Sequence, residues 1–289
     1  MVDKSVARIE VLDPEMERLV DPKARFDAIA SERKFTEGPV WMPRENQLVF
    51  SDIPASALYA WSEASGLREF RIPSNNANGN ALDREGRLIT CEHSSRRVTR
   101  TESNGEIVVI AERYQGRRLN SPNDVVVKRD GSIWFTDPPY GIKREQKELD
   151  GNYVFRLDSG ALEPVIVASD LQMPNGLCFS PDEETLYISD SSKERHHIKR
   201  YRVSRDNTLQ GDGVFVAIEP HVPDGIRMDS EGRLFSTAGD GVQVFACDGR
   251  LIGKFLTPQV AANCCFGGPQ GRDLFITATT SVWRVRLRG

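Results

Sequence analysis

The sequence predicts an all-β chain folded as a six-bladed β-propeller. Three observations carry that expectation. A segment of about sixteen residues recurs six times, each copy reads as two short strands around a turn, and the copies are spaced by a blade's length. The opening residues of successive copies lie 41, 45, 52, 49 and 39 positions apart. Four-stranded propeller blades use about 40–50 residues, so six units consume the chain.

The first copy is EGPVWMPRENQLVFSD from Glu37, and the second is NGNALDREGRLITCEH from Asn78. Then come NDVVVKRDGSIWFTDP from Asn123, NGLCFSPDEETLYISD from Asn175, DGIRMDSEGRLFSTAG from Asp224 and NCCFGGPQGRDLFITA from Asn263. Each opens on a carboxylate or carboxamide residue, continues through an apolar run, and turns at Asp, Glu, Pro, Asn or Gly. A second run of β-branched and aromatic residues follows, which is the signature of a hairpin. Ten or eleven positions after each opening residue an apolar side chain recurs, at Leu48, Leu88, Ile133, Leu186, Leu234 and Leu274. Four positions further stand Asp52, Glu92, Asp137, Asp190, Ala238 and Ala278, of which Asp52, Asp137 and Asp190 read as structural turn or inter-blade residues. The WD dipeptide is absent, so this is not a WD40 array. One propeller domain over residues 1–289 is expected, with part of the first 35 or so residues completing the last blade and closing the ring.

Composition limits what such a chain does. Hydrophobic residues make up 39% and charged residues 28%, with 38 basic against 42 acidic side chains and a formal charge of −4. That field is too weak and of the wrong sign for nucleic acid or an anionic membrane, and no apolar run is long enough to span a bilayer. The basic stretch Lys193–Arg202 reads as a solvated face. Five cysteines, two of them adjacent, without a C-x-x-C spacing, argue against a disulfide framework or a zinc site. With no signal-peptide pattern at the first residues, a reducing, cytoplasmic location is expected. There is no G-x-S-x-G elbow, no H-E-x-x-H and no phosphate-binding loop.

The first strand of a propeller blade lines the central channel. The opening residues Glu37, Asn78, Asn123, Asn175, Asp224 and Asn263 therefore form a ring around one axis, and all six carry side-chain oxygen. Hard cations take six to eight oxygen ligands, so a central metal site within this ring is the sharpest reading. Asn78 and Asn263 are read as structural or substrate-facing. Among the histidines, His93 at a strand end near the channel is a candidate proton shuttle or substrate contact, His221 a weaker one, and His196 and His197 are read as solvent-facing. The loop TDPPYG, Thr136–Gly141, is placed to cover the channel mouth with Tyr140.

The segments EGPVW at Glu37, NSPNDVVV at Asn120, PNGL at Pro174 and PDGI at Pro223 resemble the gluconolactonase and senescence marker protein (regucalcin) family, from about Lys34 onward. The stretch GRRLNSPNDVVVKRDGSIWFTDPPYG is most similar to its microbial gluconolactonase branch. The resemblance implies one divalent cation in the channel of a six-bladed propeller. Calcium is expected first, with zinc, manganese, magnesium or iron as alternatives. By motif, the direct metal ligands are Glu37, Asn175 and Asp224. Asn123 lies beside them, contacting substrate or a bound water, and Asn120 and His93 join it as substrate-binding candidates. The family's substrate arginine, two residues before that asparagine, is replaced here by Ser121, for which Arg117 or Arg118 are candidate substitutes. The implied activity is hydrolysis of a sugar lactone to the free acid, with Asp224 as base and metal-bound hydroxide as the rival nucleophile. A phosphotriesterase-like hydrolase and a non-enzymatic metal-binding propeller are the alternative readings. The expected partner is a small-molecule sugar lactone, and the sequence leaves the oligomeric state open.

Overall fold

A computed structural model describes residues 6–288. Six antiparallel sheets of four or five strands stand around a channel. Blade 1 runs through Thr36–Met42, Gln47–Asp52, Ala57–Ser62 and Gly66–Arg71, innermost strand first. Blade 2 follows the same order through Ala77–Leu82, Leu88–Glu92, Arg97–Thr101 and Ile107–Ala111, and blade 4 through Pro174–Phe179, Thr185–Asp190, His197–Val203 and Leu209–Ala217. In blades 3 and 5 the innermost strands, Val125–Val127 and Ile226–Met228, are short. The six recurring segments are thus the two inner strands of six blades.

The two ends of the chain meet in blade 6. Its inner strands are Ala261–Gly267, Asp273–Ala278 and Ser281–Arg286, and its outermost strand is Phe26–Ala30 from the N-terminal segment. One feature differs from a four-strand expectation. Arg8–Val11 adds a fifth strand to blade 5, pairing with Leu251–Leu256. The helix Pro14–Leu19 that follows explains the addition. Asp13 caps it by accepting the Glu15 N–H at 2.9 Å, and it buries Met16, Leu19 and Val20 in the apolar core shared by blades 5 and 6. Pairing the preceding strand to the edge of blade 5 seats that helix.

The registered apolar positions explain why the blades pack. Leu48, Leu88, Ile133, Leu186, Leu234 and Leu274 are all buried, because alternate residues of the second strand point into the seams between neighbouring blades. Aromatic pairs lock those seams. Trp41 of blade 1 stacks on Phe275 of blade 6 at 5.6 Å, and Trp134 of blade 3 meets Phe179 of blade 4 edge-on at 5.4 Å.

The four acids at the next registered position are structural. Asp52 accepts the backbone N–H groups of Lys34 and Phe35, each at 3.0 Å, and Asp190 those of Gln172 and Met173 at 2.8 and 3.0 Å. Asp137 accepts that of Asn120 at 2.7 Å, and Glu92 pairs with Arg71 and Arg97. The three aspartates therefore satisfy backbone N–H groups in the segment entering their own blade that burial would otherwise leave unpaired, whereas Glu92 ties the last strand of blade 1 to the third strand of blade 2. The basic run of blade 4 is neutralised in place, Lys199 on Asp170 and both Arg200 and Arg202 on Asp212. No helix among the described residues is long and apolar enough to cross a membrane.

Candidate active site in the central channel

Local backbone geometry turns the opening residues inward. The inner strands of blades 1, 2, 4 and 6 each carry a register shift at this point, between Glu37 and Val40, Ala77 and Asn80, Pro174 and Leu177, and Ala261 and Asn263. A β-bulge bends its strand and re-aims a side chain, here into the channel. The glycine that follows the opening residue in four blades is required by crowding. A Cβ on Gly79 would lie 2.5 Å from the Asn123 carbonyl oxygen, and one on Gly176 would lie 2.3 Å from that of Asp224. Neighbouring blades are tied at the same level, with Gly79 N–H donating to Asn123 O at 2.8 Å and Thr136 Oγ1 donating to Asn175 O at 2.8 Å.

The ring side chains hydrogen-bond in series. Asn78 Nδ2 donates to Asn123 Oδ1, Asn123 Nδ2 donates to Asn175 Oδ1 at 2.6 Å, and the Asn175 side chain bonds Asp224. From the other side Asn263 Nδ2 donates to Glu37 Oε2 at 3.0 Å, which also accepts the Gly38 N–H at 2.6 Å. Carboxamide donors thus converge on the two carboxylates. His93 Nε2 sits 3.2 Å from both Asn123 Oδ1 and Asn78 Nδ2. Burial lowers its pKa to about 4, so the imidazole is neutral near pH 7, and its Nε2–H tautomer donates to Asn123. That neutral state suits orienting Asn123 better than shuttling protons.

Beneath the ring lies an ion pair. Asp124 is almost wholly buried, and Arg227 Nη1 reaches its Oδ2 at 3.3 Å while donating to Ile226 O at 2.7 Å. Burial raises the carboxyl pKa of both Glu37 and Asp224, and the charge of Asp124 adds to it in each case. Glu37 raises Asp224 further, as like charges in a dry site must.

A cavity of about 330 Å³ opens onto this ring, a volume suited to a monosaccharide-sized guest. Glu37, Asn78, His93, Asn123, Asn175 and Asp224 form its polar side. Phe35, Ile53 and Val222 form an apolar wall, and Tyr140 and Ser191 close the remainder. Among the described residues, no lysine or arginine lines it. Larger clefts lie elsewhere, among them two of about 680 and 420 Å³ that include arginines paired with acids, such as Arg284 on Asp27 and Arg87 on Asp83.

The structure therefore gathers Glu37, Asn123, Asn175, Asp224 and His93 around one cavity. Asn120 is a correction: it is fully buried outside the cavity wall, with Nδ2 donating to Asp137 O at 2.9 Å and Gly151 O at 3.0 Å. Its motif neighbour reaches the channel, but Asp137 captures its own backbone and turns its amide away. Arg117 and Arg118 do not reach the site either. They form a small ribbon with Arg113 and Tyr114, and Arg118 Nη2 donates to Ser95 O at 2.9 Å. His221 is exposed outside the cavity, while His196 and His197 are half-buried, His196 Nδ1 lying 3.1 Å from Ile218 O. Cys91, Cys178, Cys264 and Cys265 are buried with thiol pKa values pushed up by burial, which disqualifies them as nucleophiles. Sequence reasoning passed over Asp124, Arg227 and the apolar wall. The one available signal was an arginine inside an apolar innermost strand, Ile226–Met228.

The donor set fits a divalent cation. Glu37, Asn175 and Asp224 offer carboxylate and carboxamide oxygens, the hard donors such an ion takes. With Glu37, Asp124 and Asp224 all ionised, three carboxylates against one guanidinium leave two negative charges, which one such ion would neutralise.

The family model described as SMP-30/Gluconolactonase/LRE-like region matches residues 35–280. A gluconolactonase of Zymomonas mobilis is 31% identical over 100% of this chain and 88% of its own length. The pentonolactonase XacC of Haloferax volcanii is 27% identical, covering 83% of this chain and 80% of its own. Among solved structures, a gluconolactonase from Xanthomonas campestris is 36% identical with a TM-score of 0.91, covering 97% of this chain and 95% of its own.

Proposed function

Because the chain belongs to the SMP-30/gluconolactonase/LRE-like family, we propose that it is a sugar lactonase that hydrolyses aldonolactones such as glucono-δ-lactone to the free acid. The observation that carries the reading is the pair of deep-set carboxylates, Glu37 and Asp224, facing carboxamides across a monosaccharide-sized cavity.

Glu37, Asn175 and Asp224 would hold a divalent cation, calcium first among hard, oxygen-seeking ions. Bound there, the ion supplies Lewis-acid polarisation of the lactone carbonyl and stabilises the developing oxyanion. Asp224, a carboxylate beside both the cation position and the cavity, would accept a proton from the attacking water. The water oxygen bonds to the carbonyl carbon, the ring C–O bond breaks, and the proton passes to the departing ring oxygen. Asn123, oriented by His93, contacts the substrate beside the carbonyl. Phe35, Ile53 and Val222 exclude bulk water on one side, which strengthens these electrostatic interactions.

The test follows acid release from glucono-δ-lactone by protein stripped of metal, with the spontaneous rate subtracted. Turnover is expected to return on adding a divalent cation, and no rate above background with any of calcium, zinc, manganese or magnesium would sink the reading. Charge provides a second expectation. With no cationic side chain in the cavity wall, a lactone carrying a terminal phosphate should show kcat/KM at least about 100-fold below that of its neutral parent. Parity between the two substrates would contradict that.

A further inference from the structure

The position where the family resemblance leads one to expect an arginine has a definite task in this chain. Ser121 is fully buried, its Oγ donates to Pro138 O at 2.8 Å, and it accepts the Gly141 N–H at 2.8 Å. One hydroxyl thus pins both ends of the Pro138–Gly141 loop. The loop is held from beneath as well, since a Cβ on Gly141 would lie 2.5 Å from His93 Cβ and 3.0 Å from Ser121 Cβ. Between these fixed points stands Tyr140. Its side chain is half exposed, yet it lines the cavity together with Asn175 and Ser191. The Ser191 hydroxyl donates its one hydrogen to Pro223 O, so beside Tyr140 its oxygen can act only as an acceptor. The phenol faces a pocket whose other wall is apolar, at Phe35, Ile53 and Val222. A guest with one hydroxylated edge and one C–H face matches that division.

We propose that Tyr140 is a substrate-binding residue that hydrogen-bonds a ring hydroxyl of the lactone, and that Ser121 is the positioning residue that holds it in place. The proposal rests on the lactonase reading and adds to it how a hydroxylated ring is distinguished from a bare one. A site built to bond a substrate hydroxyl discriminates against an analogue lacking it.

The experiment compares glucono-δ-lactone with δ-valerolactone, which has the same ring and no hydroxyl groups, in wild type, Tyr140→Phe, Ser121→Ala and the double variant. In Tyr140→Phe the loss of kcat/KM is expected to be about tenfold larger for gluconolactone than for valerolactone, carried by KM. Ser121→Ala is expected to shift the same ratio in the same direction, and the double variant to lose no more than Tyr140→Phe alone, as residues acting through one group do. Equal losses on both lactones in Tyr140→Phe would overturn the proposal while wild-type turnover kept the lactonase reading. Additive losses in the double variant would overturn the role of Ser121. Silence of the wild type on both lactones would overturn the lactonase reading and this inference with it. Should Ser121→Ala fail to fold, Tyr140→Phe still decides the substrate contact.

Discussion

Asp224→Asn is expected to lower kcat for glucono-δ-lactone by about 10²–10⁴-fold, the usual worth of a positioned general base, and to raise the melting temperature of the metal-stripped protein. The two effects share a cause. Asp224 and Glu37 are deep-set carboxylates whose pKa values burial pushes up, with Asp124 adding to both and Glu37 adding to Asp224. Without a cation the channel must either hold mutually repelling negative charge or take up protons, and either costs stability above the ordinary carboxylate range. An asparagine keeps the shape and can still accept from Asn175, but it removes one charge and cannot take a proton from water. Melting curves with and without a divalent cation check the electrostatic half. The ion should stabilise the wild type in proportion to its occupancy and do much less for the variant. A variant retaining kcat within tenfold of wild type would remove Asp224 from the base role. One destabilised without metal would overturn the charge argument.

Arg227→Met is expected to cost about 3–5 kcal/mol of stability, because it strands a buried charge. Its guanidinium lies 3.3 Å from Asp124, which has almost no solvent exposure of its own and sits near two more carboxylates. Burial alone would lower the arginine's pKa, but Asp124 outweighs it and keeps the group charged. The double variant Asp124→Asn, Arg227→Met should recover most of the loss, since a buried pair is worth far less than the penalty for breaking it. Urea unfolding of the two variants measures both terms. A single-variant cost below about 1 kcal/mol, or a double variant less stable than the single, would mean that solvent or another cation screens Asp124.

These two predictions differ in how much the sequence revealed of them. Asp224 was legible because it is one of six oxygen-bearing residues in register, and a propeller makes equivalent positions converge. The acids at 52, 137 and 190 were legible as structural for a related reason, since each recurs at one strand end and holds the chain entering its own blade. Asp124 and Arg227 were not, since they come from blades 3 and 5 and are separated by about a hundred residues. Both lie within the recurring segments, but at positions where the other copies carry no charge, and only the closed channel makes them partners. Asn120 failed in the opposite way. Three residues from Asn123, it belongs to the same motif, but the hydrogen bond from its backbone N–H to Asp137 turns its side chain into the protein.

The sequence by itself determined the number of blades, the register of their inner strands and the residue types around the axis. Those properties are local and periodic, and each unit repeats the same hydrophobic alternation and turn. Only the tertiary structure decided which atoms face one another across the channel. Bulges at Glu37, Asn78, Asn175 and Asn263 aim the side chains. Glycines such as Gly79 and Gly176 let adjacent blades approach, and the ring bonds from Asn123 to Asn175 and from Asn263 to Glu37 form only when the blades are assembled. The wall of Phe35, Ile53 and Val222 and the pinned loop of Tyr140 are products of the same closure, because they bring together groups that no repeat period relates.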